Sequence, residues 1–244
     1  SILVRRMRDE GCIVLGKTNT PEFGHKGKTD NGPFGATKNP WNLEFSPGGS
    51  SGGTSAALAS GMIPLGTGSD GGGSIRIPAA LGGLAGIKTS QGRIPIGGDT
   101  PPGSGLLTVK GPMANTTKDN ALALDATVGP HPTDIFSLEG ENLNWFSQLT
   151  GELPKSAIWS PTMGFSTVDK EVMEQCEIAI NKLADAGVEI IEKETIWSEN
   201  PVEAWMVFWA SACARRQQHL IGTDDFEKID PLLRLFIEMG TTMD

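Results

Sequence analysis

The protein is a chain of 244 residues, of which 38% are hydrophobic and 20% are charged. This composition suits a folded chain with a buried core and excludes intrinsic disorder as the default state. The formal net charge of −9, without a basic stripe, excludes nucleic acid as an expected partner, and the apolar runs are too short to cross a membrane.

Three widely separated cysteines limit the chemistry open to the chain: Cys12, Cys176 and Cys213. Their number is odd and no CxxC pair occurs, so the spacing predicts neither a zinc site nor a disulfide framework. Buried free thiols are typical of a reducing compartment, and we therefore expect a cytoplasmic protein.

The first predicted elements are a helix end, a strand and a long loop. Residues 1–10 indicate the last turns of a helix that begins without a methionine or a cap, so we expect the natural protein to extend upstream. Residues 12–16 predict a short buried strand, and residues 17–47 an irregular loop rich in Gly, Asn, Pro and Thr. A loop of this length usually has a function.

Small residues dominate the next part of the chain. Residues 54–61 predict a small-residue helix, 62–70 a buried strand, and 71–86 a continuation into a second helix of the same kind. Glycine clusters between residues 48 and 105, which indicates backbone in unusual conformations or in close contact with another group. A further helix is expected over 117–128.

The second half of the chain predicts alternating strands and helices. Strands are expected at 156–160 and 188–191, and helices at 201–221 and 226–239. This alternation predicts an α/β fold with a mixed, largely parallel sheet core flanked by helices. No linker or internal repeat divides residues 1–244, so we expect one domain; we also expect it to be incomplete at its C-terminal end.

An amphipathic helix is expected between these two strands. Ser166 and Asp169 are spaced like a capping box at its start, and Gly187 occupies the stop position. Its predicted core face consists of Val172, Cys176, Ala179, Ile180 and Leu183.

A dinucleotide-binding loop is one interpretation of the glycine cluster. Gly66, Gly68 and Gly71 satisfy the pattern GxGxxG. A nucleotide site also needs an acidic residue about 20 residues further on to hold a ribose. Residues 86–92 provide no carboxylate there, so the pattern does not favour nucleotide binding.

A nucleophile elbow is a second interpretation, because Gly48, Ser50 and Gly52 satisfy GxSxG. An α/β-hydrolase also needs an acid and then a histidine downstream. The downstream histidines are His131, in a proline-rich turn, and His219, beside polar and basic residues on a predicted helix. Both are typical of surface histidines.

The third interpretation uses all the serines together. Residues 46–95 resemble the signature segment of the amidase signature family. Residues 16–24 and 39–42 are similar to the run-up to that segment, and 111–130 and 158–172 to later parts of the family. The resemblance covers most of residues 1–190.

This resemblance implies a Ser–cis-Ser–Lys triad. It places the nucleophile at Ser74 and the bridging serine at Ser50, preceded by a cis peptide bond from Gly49. It implies that Ser51 supports the site by hydrogen bonds, and that Asp70 and Arg76 brace the turn. The backbone N–H groups implied for the oxyanion hole are those of Gly71, Gly72, Gly73 and Ser74.

The residue types also fit this chemistry on physical grounds. An amide carbonyl is a poor electrophile, so amide cleavage needs donors aimed at the developing oxyanion. Consecutive glycines let the backbone approach a substrate closely, and a serine at their end is placed to attack. Ser50 can relay the proton of Ser74 if its hydroxyl lies between Ser74 and a base.

The catalytic lysine of the family has no counterpart here, because the resemblance places it on a strand upstream of Ser1. Lys17 and Lys88 match other positions of the family, and we expect a structural role for both. The resemblance implies that residues 22–31 approach the site, where a surface loop and a substrate-channel lining are equally open. The tryptophan-rich helix around Trp205 and Trp209 is compatible with a position that faces the substrate, but core packing is favoured.

The function implied is hydrolysis of the C–N bond of a small carboxylic amide through a seryl acyl-enzyme, without metal or cofactor. One alternative is a protein that resembles the glutaminyl-tRNA amidotransferase A subunit, which delivers ammonia to a partner. Another is a truncated, non-catalytic fragment. A homodimer is compatible with the sequence, and the substrate cannot be read from it.

Overall fold

A computed structural model describes residues 1–97, 107–139 and 144–243. The chain divides into two compact units by its internal contacts. The first unit contains residues 1–149 and 208–244, and the second contains residues 150–207. The prediction of a single domain did not distinguish these two units.

The described residues form both helices and strands, which confirms the α/β class. The strands are β1 (Asp30–Asn31), β2 (Gly35–Ala36), β3 (Leu65–Asp70), β4 (Ala85–Gly86), β5 (Val109–Ala114), β6 (Ser156–Trp159) and β7 (Glu189–Glu192). The α-helices are α1 (Ile2–Asp9), α2 (Gly52–Ala59), α3 (Arg76–Gly82), α4 (Thr117–Thr127), α5 (Lys170–Asp185), α6 (Val202–Gln217) and α7 (Pro231–Thr241). None of these helices is long and apolar enough to span a membrane.

Strand pairing is mixed, but parallel pairing is less common among the described residues than we expected. The sheet next to the glycine cluster has the order β3-β5-β4, and both of its pairs are antiparallel. β1 and β2 form an antiparallel hairpin within the long loop, whereas β6 and β7 are parallel.

The β3-β5-β4 sheet and two short helices enclose the core that supports the glycine cluster. Leu58 of α2 packs with Ile75, with Ala79 of α3 and with Met113 of β5 in one buried cluster. Ile75 and Met113 are fully buried. Because α3 follows β3 after only five residues, this core fixes both ends of the turn that joins them.

Two further clusters stabilise the first unit. One joins α1 and α4 through Leu3, Ile94 and Leu124. The other lies between α6 and α7 and contains Cys213, Phe226, Ile229, Leu233 and Ile237.

The second unit has little core of its own. It contains α5 and the pair β6–β7, with Ile158 opposite Ile191 in the register. Ile158 is 58% exposed, and no residue of α5 is buried. The core face predicted for α5 is therefore wrong for this structure, although Asp169 does cap the helix by accepting a hydrogen bond from Glu171 N.

Several predicted elements differ from the structure in extent. Residues 12–16 do not form a strand, and Ile13 and Leu15 are 85% and 75% exposed. A strand is defined by hydrogen bonds to a neighbouring strand, and none is described for this segment. The prediction of buried thiols is wrong for Cys176, which is exposed, whereas Cys213 is buried.

β5 was missed although it is the central strand of its sheet. Gly111 and Pro112 lie in its middle. Both residue types are depleted in strands, so the sequence pattern concealed it.

Candidate active site

The candidate nucleophile lies in the turn between β3 and α3. Gly66 and Gly68 are inside β3 itself, so the GxGxxG pattern does not form a loop at the end of the strand. The chain then turns through the next glycines to Ser74, which is half-buried, and α3 begins at Arg76. Within the described part of the chain, no hydrogen bond of the Ser74 hydroxyl is found.

A second loop brings Ser50 and Ser51 to this turn. Ser51 N donates to Ser74 O at 3.2 Å, so the two parts of the motif are in direct contact although 24 positions separate Ser50 from Ser74. Ser50 and Ser51 are 5% and 6% exposed. The Gly49–Ser50 peptide bond is cis, as the resemblance implied. Ser51 Oγ lies 3.4 Å from Ser69 N, which donates to it.

The backbone of the long loop packs against the Ser50 loop. A Cβ atom at Gly49 would lie 2.7 Å from Lys28 N, so only glycine allows this approach. Thr29 is fully buried, and its hydroxyl donates to Gly48 O at 2.8 Å and accepts from Gly52 N at 3.1 Å. Thr29 therefore fastens both sides of the Ser50 loop, a role for which the sequence contains no signal.

Asp70 organises the turn that carries Ser74. It is fully buried, and its carboxylate accepts hydrogen bonds from Gly73 N at 2.7 Å, Ile75 N at 3.2 Å and Arg76 N at 3.3 Å. The Arg76 guanidinium adds two bonds, from Nε at 2.9 Å and from Nη2 at 3.0 Å. The carboxylate thus satisfies amides at the start of α3, where a negative charge is favourable.

These contacts explain the acidity of Asp70. Burial alone raises the pKa of a carboxyl group, because it disfavours the charged form. Against that burial, the hydrogen bonds from Arg76 and Gly73 and the charges of Arg76 and Lys88 lower the pKa of Asp70 to about 2. Asp70 is therefore a carboxylate at neutral pH, and its charge holds the turn.

The four amides expected in the oxyanion hole do not have the same environment. Gly73 is buried and its N–H donates to Asp70, so in this geometry that amide is already bonded. Gly72 is exposed and Ser74 half-buried, and in the described ranges neither N–H has an acceptor. Gly71 makes other contacts. The amides of Gly72 and Ser74 are thus the ones available to an anion.

The lysines near the site are occupied or exposed. Lys17 is exposed. Lys26 and Lys28 form ion pairs with Asp30, that of Lys28 at 2.9 Å. Lys88 donates to main-chain carbonyls, at 2.6 Å from Asp70 O. None of these contacts places a lysine as a base for Ser50.

The two histidines of the α/β-hydrolase interpretation have surface positions. His131 contacts the Arg5 guanidinium at 2.7 Å and the hydroxyl of Thr133 at 2.9 Å. His219 is exposed in a short 3-10 turn after α6. Neither contacts Ser50, so a Ser–His arrangement is not formed.

A cleft lies beside the turn. It is lined by Phe23 and His25 from the long loop and by residues of α6 and α7, among them Trp209, Gln217 and Leu233. Phe23 has a positive φ of 48°, which is strained for a bulky residue. Gln217 is 3% exposed, and its Oε1 has no hydrogen-bond partner among the described residues.

The cleft is adjacent to both serine loops. A Cβ atom at Gly71 would lie 3.3 Å from Cζ3 of Trp209, so this ring borders the start of the glycine turn. A Cβ atom at Gly24, next to Phe23, would lie 3.4 Å from Ser50 Oγ. Trp209 packs against the α6–α7 cluster, as favoured from the sequence, and it also lines the cleft.

The long loop is fixed to the start of α7 by an ion pair and by hydrogen bonds. His25 Nδ1 contacts Glu22 O at 2.6 Å, and His25 Nε2 lies 3.1 Å from Asp230 Oδ1. Asp230 also pairs with Lys26 at 2.6 Å, and its N–H donates to Glu22 Oε2 at 2.7 Å. Hydrogen bonding to Lys26 and to Leu232 N lowers the pKa of Asp230 to about 2 although partial burial opposes this.

The site therefore combines a half-buried serine at the end of a braced glycine turn, two amides without an acceptor among the described residues, and a second loop of buried serines that contacts the first. The comparisons with known proteins show the family to which the chain belongs. The Amidase family profile matches residues 1–238, and the chain belongs to this family.

Named relatives lie within the same family. The chain is 38% identical to an acylamidase of Rhodococcus erythropolis over 241 residues, 96% of this chain and 49% of that protein. It is 40% identical to the glutamyl-tRNA(Gln) amidotransferase A subunit of Bacillus velezensis over 187 residues, 76% of this chain and 38% of that protein.

The structural comparison gives the same result. A bacterial aryl acylamidase of the amidase signature family superimposes with a TM-score of 0.92 and 31% identity, over 100% of this chain and 52% of that one. The chain thus spans about half the length of the acylamidases that it matches.

Proposed function

We propose that the protein cleaves the C–N bond of a small carboxylic amide, with Ser74 as nucleophile and a seryl acyl-enzyme as intermediate. The observation that carries this proposal is the contact between the two serine loops, Ser51 N to Ser74 O at 3.2 Å. It brings a buried serine beside a second serine, and the amides of Gly72 and of Ser74 itself have no acceptor among the described residues.

The reaction begins when the Ser74 hydroxyl attacks the carbonyl carbon and its proton passes to Ser50. The amides of Gly72 and Ser74 stabilise the oxyanion that develops. The intermediate collapses, the amine or ammonia leaves with a proton returned through Ser50, and water then hydrolyses the ester. Asp70 and Arg76 support this chemistry by bracing the turn, and Ser51 by its bonds to Ser69 and Ser74.

Ser50 needs a base beyond it. The lysines at positions 17, 26, 28 and 88 are exposed or have other partners. We therefore propose that a lysine outside residues 1–244 supplies the base, as the family resemblance implies. We also propose that the enzyme acts in the cytoplasm without a metal or cofactor and can form a homodimer.

The cleft between the long loop and α6–α7 is the proposed binding region for one side of the substrate. Phe23 and Trp209 offer apolar surface there. The names of the relatives include an acylamidase and an aryl acylamidase, so an aryl amide is the proposed substrate class. We expect Trp209→Ala in the complete protein to lower kcat/KM for an anilide about tenfold more than for the aliphatic amide of the same acid, since a buried aromatic contact contributes ~1 kcal/mol.

The experiment that tests the function measures anilide hydrolysis by the complete protein. Ser74→Ala should abolish turnover and leave the melting temperature unchanged, because it removes one half-exposed hydroxyl. Ser60→Ala, at the exposed end of α2, is the matched control and should be fully active. A serine-reactive sulfonyl fluoride should add its mass to the peptide that contains Ser74. Full activity of Ser74→Ala would show that the nucleophile lies elsewhere, with Ser50 next to be tested.

A second candidate function is that of an amidotransferase A-like subunit, favoured by the 40% identity to such a protein. It predicts hydrolysis of glutamine in preference to anilides, with activity that rises when partner proteins are added. Comparing glutamine and anilide turnover by the same preparation distinguishes the two. A third outcome, no covalent labelling of Ser74 and no turnover of either substrate, would identify a non-catalytic protein.

A further inference from the structure

Lys88 reaches the end of β3 from the segment that follows β4. Its ammonium group donates to Asp70 O at 2.6 Å and to Leu107 O at 2.9 Å, and lies 3.5 Å from Asp70 Oδ1. The side chain is 29% exposed. One cation therefore bridges the last residue of β3, the chain just before β5 and the carboxylate that organises the turn.

The segment that carries Lys88 packs closely against β5, and this packing positions the side chain. β4 pairs with β5, and Ile87 N continues the contact to Pro112 O at 3.4 Å. At Gly111 a Cβ atom would lie 2.2 Å from Ile87 O, so the segment could not come this near to any other residue. The side chain of Lys88 then extends across the sheet to Asp70.

The bond to Asp70 O has a consequence for the glycine turn. In a planar trans peptide, the C=O and the following N–H point in opposite directions. The Asp70–Gly71 peptide is trans. Holding Asp70 O on Lys88 therefore sets the plane of this peptide, the direction of Gly71 N–H and the direction in which the chain leaves β3.

The carboxylate of Asp70 fixes the other end of the same turn, through Gly73 N. Between these two fixed points lies Gly72, one of the amides without an acceptor in the described residues. A turn held at both ends keeps such an amide oriented before any substrate arrives, which is the condition for efficient stabilisation of an oxyanion.

We propose that Lys88 is a positioning residue of the reaction, which orients the Asp70–Gly71 peptide and so aligns the anion-stabilising amides of the glycine turn. The role in the reaction rests on the proposed amidase function, whereas the role in the turn does not. Lys88 acts through backbone carbonyls and touches neither substrate nor nucleophile. Its two carbonyl partners also leave it poorly placed to act as a base.

The test uses the complete protein with Lys88→Met, which keeps the length of the side chain and removes its donors. We expect kcat to fall ~10- to 100-fold with KM within about twofold, because one misdirected oxyanion donor costs up to 10²- to 10³-fold. The affinity for a trifluoromethyl ketone, which forms an anionic adduct with the serine, should fall by the same factor as kcat/KM. Lys88→Arg should recover part of the loss.

Lys110→Met is the matched control, since Lys110 is a half-buried lysine of β5 whose side chain is not placed in the proposed machinery. It should leave kcat unchanged. A rise in KM alone in Lys88→Met, or equal losses in both variants, would overturn the proposal.

A second measurement does not depend on activity. Amide hydrogen exchange at Gly73, whose N–H donates to Asp70, should be faster in Lys88→Met than in the parent protein, also in a Ser74→Ala background, while Lys110→Met leaves it unchanged. Unchanged exchange would refute the positioning role even in an active enzyme. Faster exchange in a protein without amidase activity would refute the proposed function and retain the role of Lys88 in the turn.

Discussion

In the first unit, the turn from Asp70 to Arg76 is fixed by buried polar contacts, whereas the second unit, residues 150–207, leaves much of its apolar surface exposed. Asp70 is fully buried and has a partner for each carboxylate oxygen. In the second unit, Ile158 is 58% exposed and α5 has no buried residue. The turn at the candidate site is therefore held by contacts of its own residues. The second unit, in contrast, lacks the burial that stabilises a parallel sheet.

The first prediction is that residues 1–244 form the turn around Ser74 without hydrolysing amides. Residues 1–244 expressed alone should have the turn formed but should not hydrolyse amides, because among the described residues the lysines near Ser50 are exposed or otherwise paired. The measurement compares anilide turnover by this chain with turnover by the complete reading frame.

Amide turnover by residues 1–244, abolished by Ser74→Ala, would contradict this prediction. Lys17 would then be the first lysine to replace, since it is exposed and without a fixed partner in the described structure.

The second effect concerns Asp70 itself. Asp70→Asn removes the charge that pairs with Arg76 and Lys88 and should lower the free energy of unfolding by ~3–5 kcal/mol, as breaking one partner of a buried ion pair does. It should also abolish measurable turnover. Chemical denaturation of the complete protein and anilide hydrolysis give the two values.

Asp134→Asn is the control, because this buried carboxylate also accepts from backbone amides, those of Ile96, Gly97 and Phe136. It should cost ~1–3 kcal/mol and leave kcat unchanged. Equal loss of kcat in the two variants would show that Asp70 acts through general stability.

The residues of the candidate site were only partly predictable from the sequence. The resemblance located Ser50, Ser74 and Asp70, because motif residues keep their spacing whatever packs around them. The pattern could not reveal that the amide of Gly73 donates to Asp70, since a hydrogen bond between near neighbours leaves no periodic signal. Thr29 was missed because its hydrogen bonds join it to Gly48 and Gly52 in a distant loop, and such contacts leave no local pattern.

The missed and wrong elements have a different origin. Residues 12–16 and α5 have the apolar patterns of buried elements, but a pattern specifies a preferred environment and not the partner that supplies it. No described residue covers these two apolar faces, and Leu15 and Val172 are exposed. The prediction missed β5 for the opposite reason. Its sequence has a poor strand propensity at Gly111 and Pro112, but pairing with a strand on each edge overrides that propensity.

A third effect depends on pH. Asp70 has its pKa lowered from 3.8 to about 2 in the folded protein. A depressed carboxyl pKa contributes stability that is fully present above pH ~4 and is lost as the pH falls through about 2. The shift corresponds to roughly 2 kcal/mol.

The measurement is the difference in unfolding free energy between the parent protein and Asp70→Asn at about pH 8, 6, 4.5 and 2.5. This difference should be constant between pH 6 and 4.5 and shrink below that. A difference that shrinks between pH 8 and 6 would identify another titrating group as the cause.

The last prediction compares the same small substitution at a buried and at an exposed isoleucine. Ile75→Val and Ile158→Val each remove one methylene, the first from the buried core beneath the turn and the second from the exposed face of β6. In residues 1–244, Ile75→Val should cost ~1 kcal/mol, because the packed core cannot close the space. Ile158→Val should change the stability by less than about 0.5 kcal/mol, since the removed group is already in water. The same two variants are then measured in the complete protein. If Ile158→Val costs as much stability there as Ile75→Val, additional chain covers this face of β6. If it remains neutral, the second unit presents an exposed apolar surface even in the intact protein.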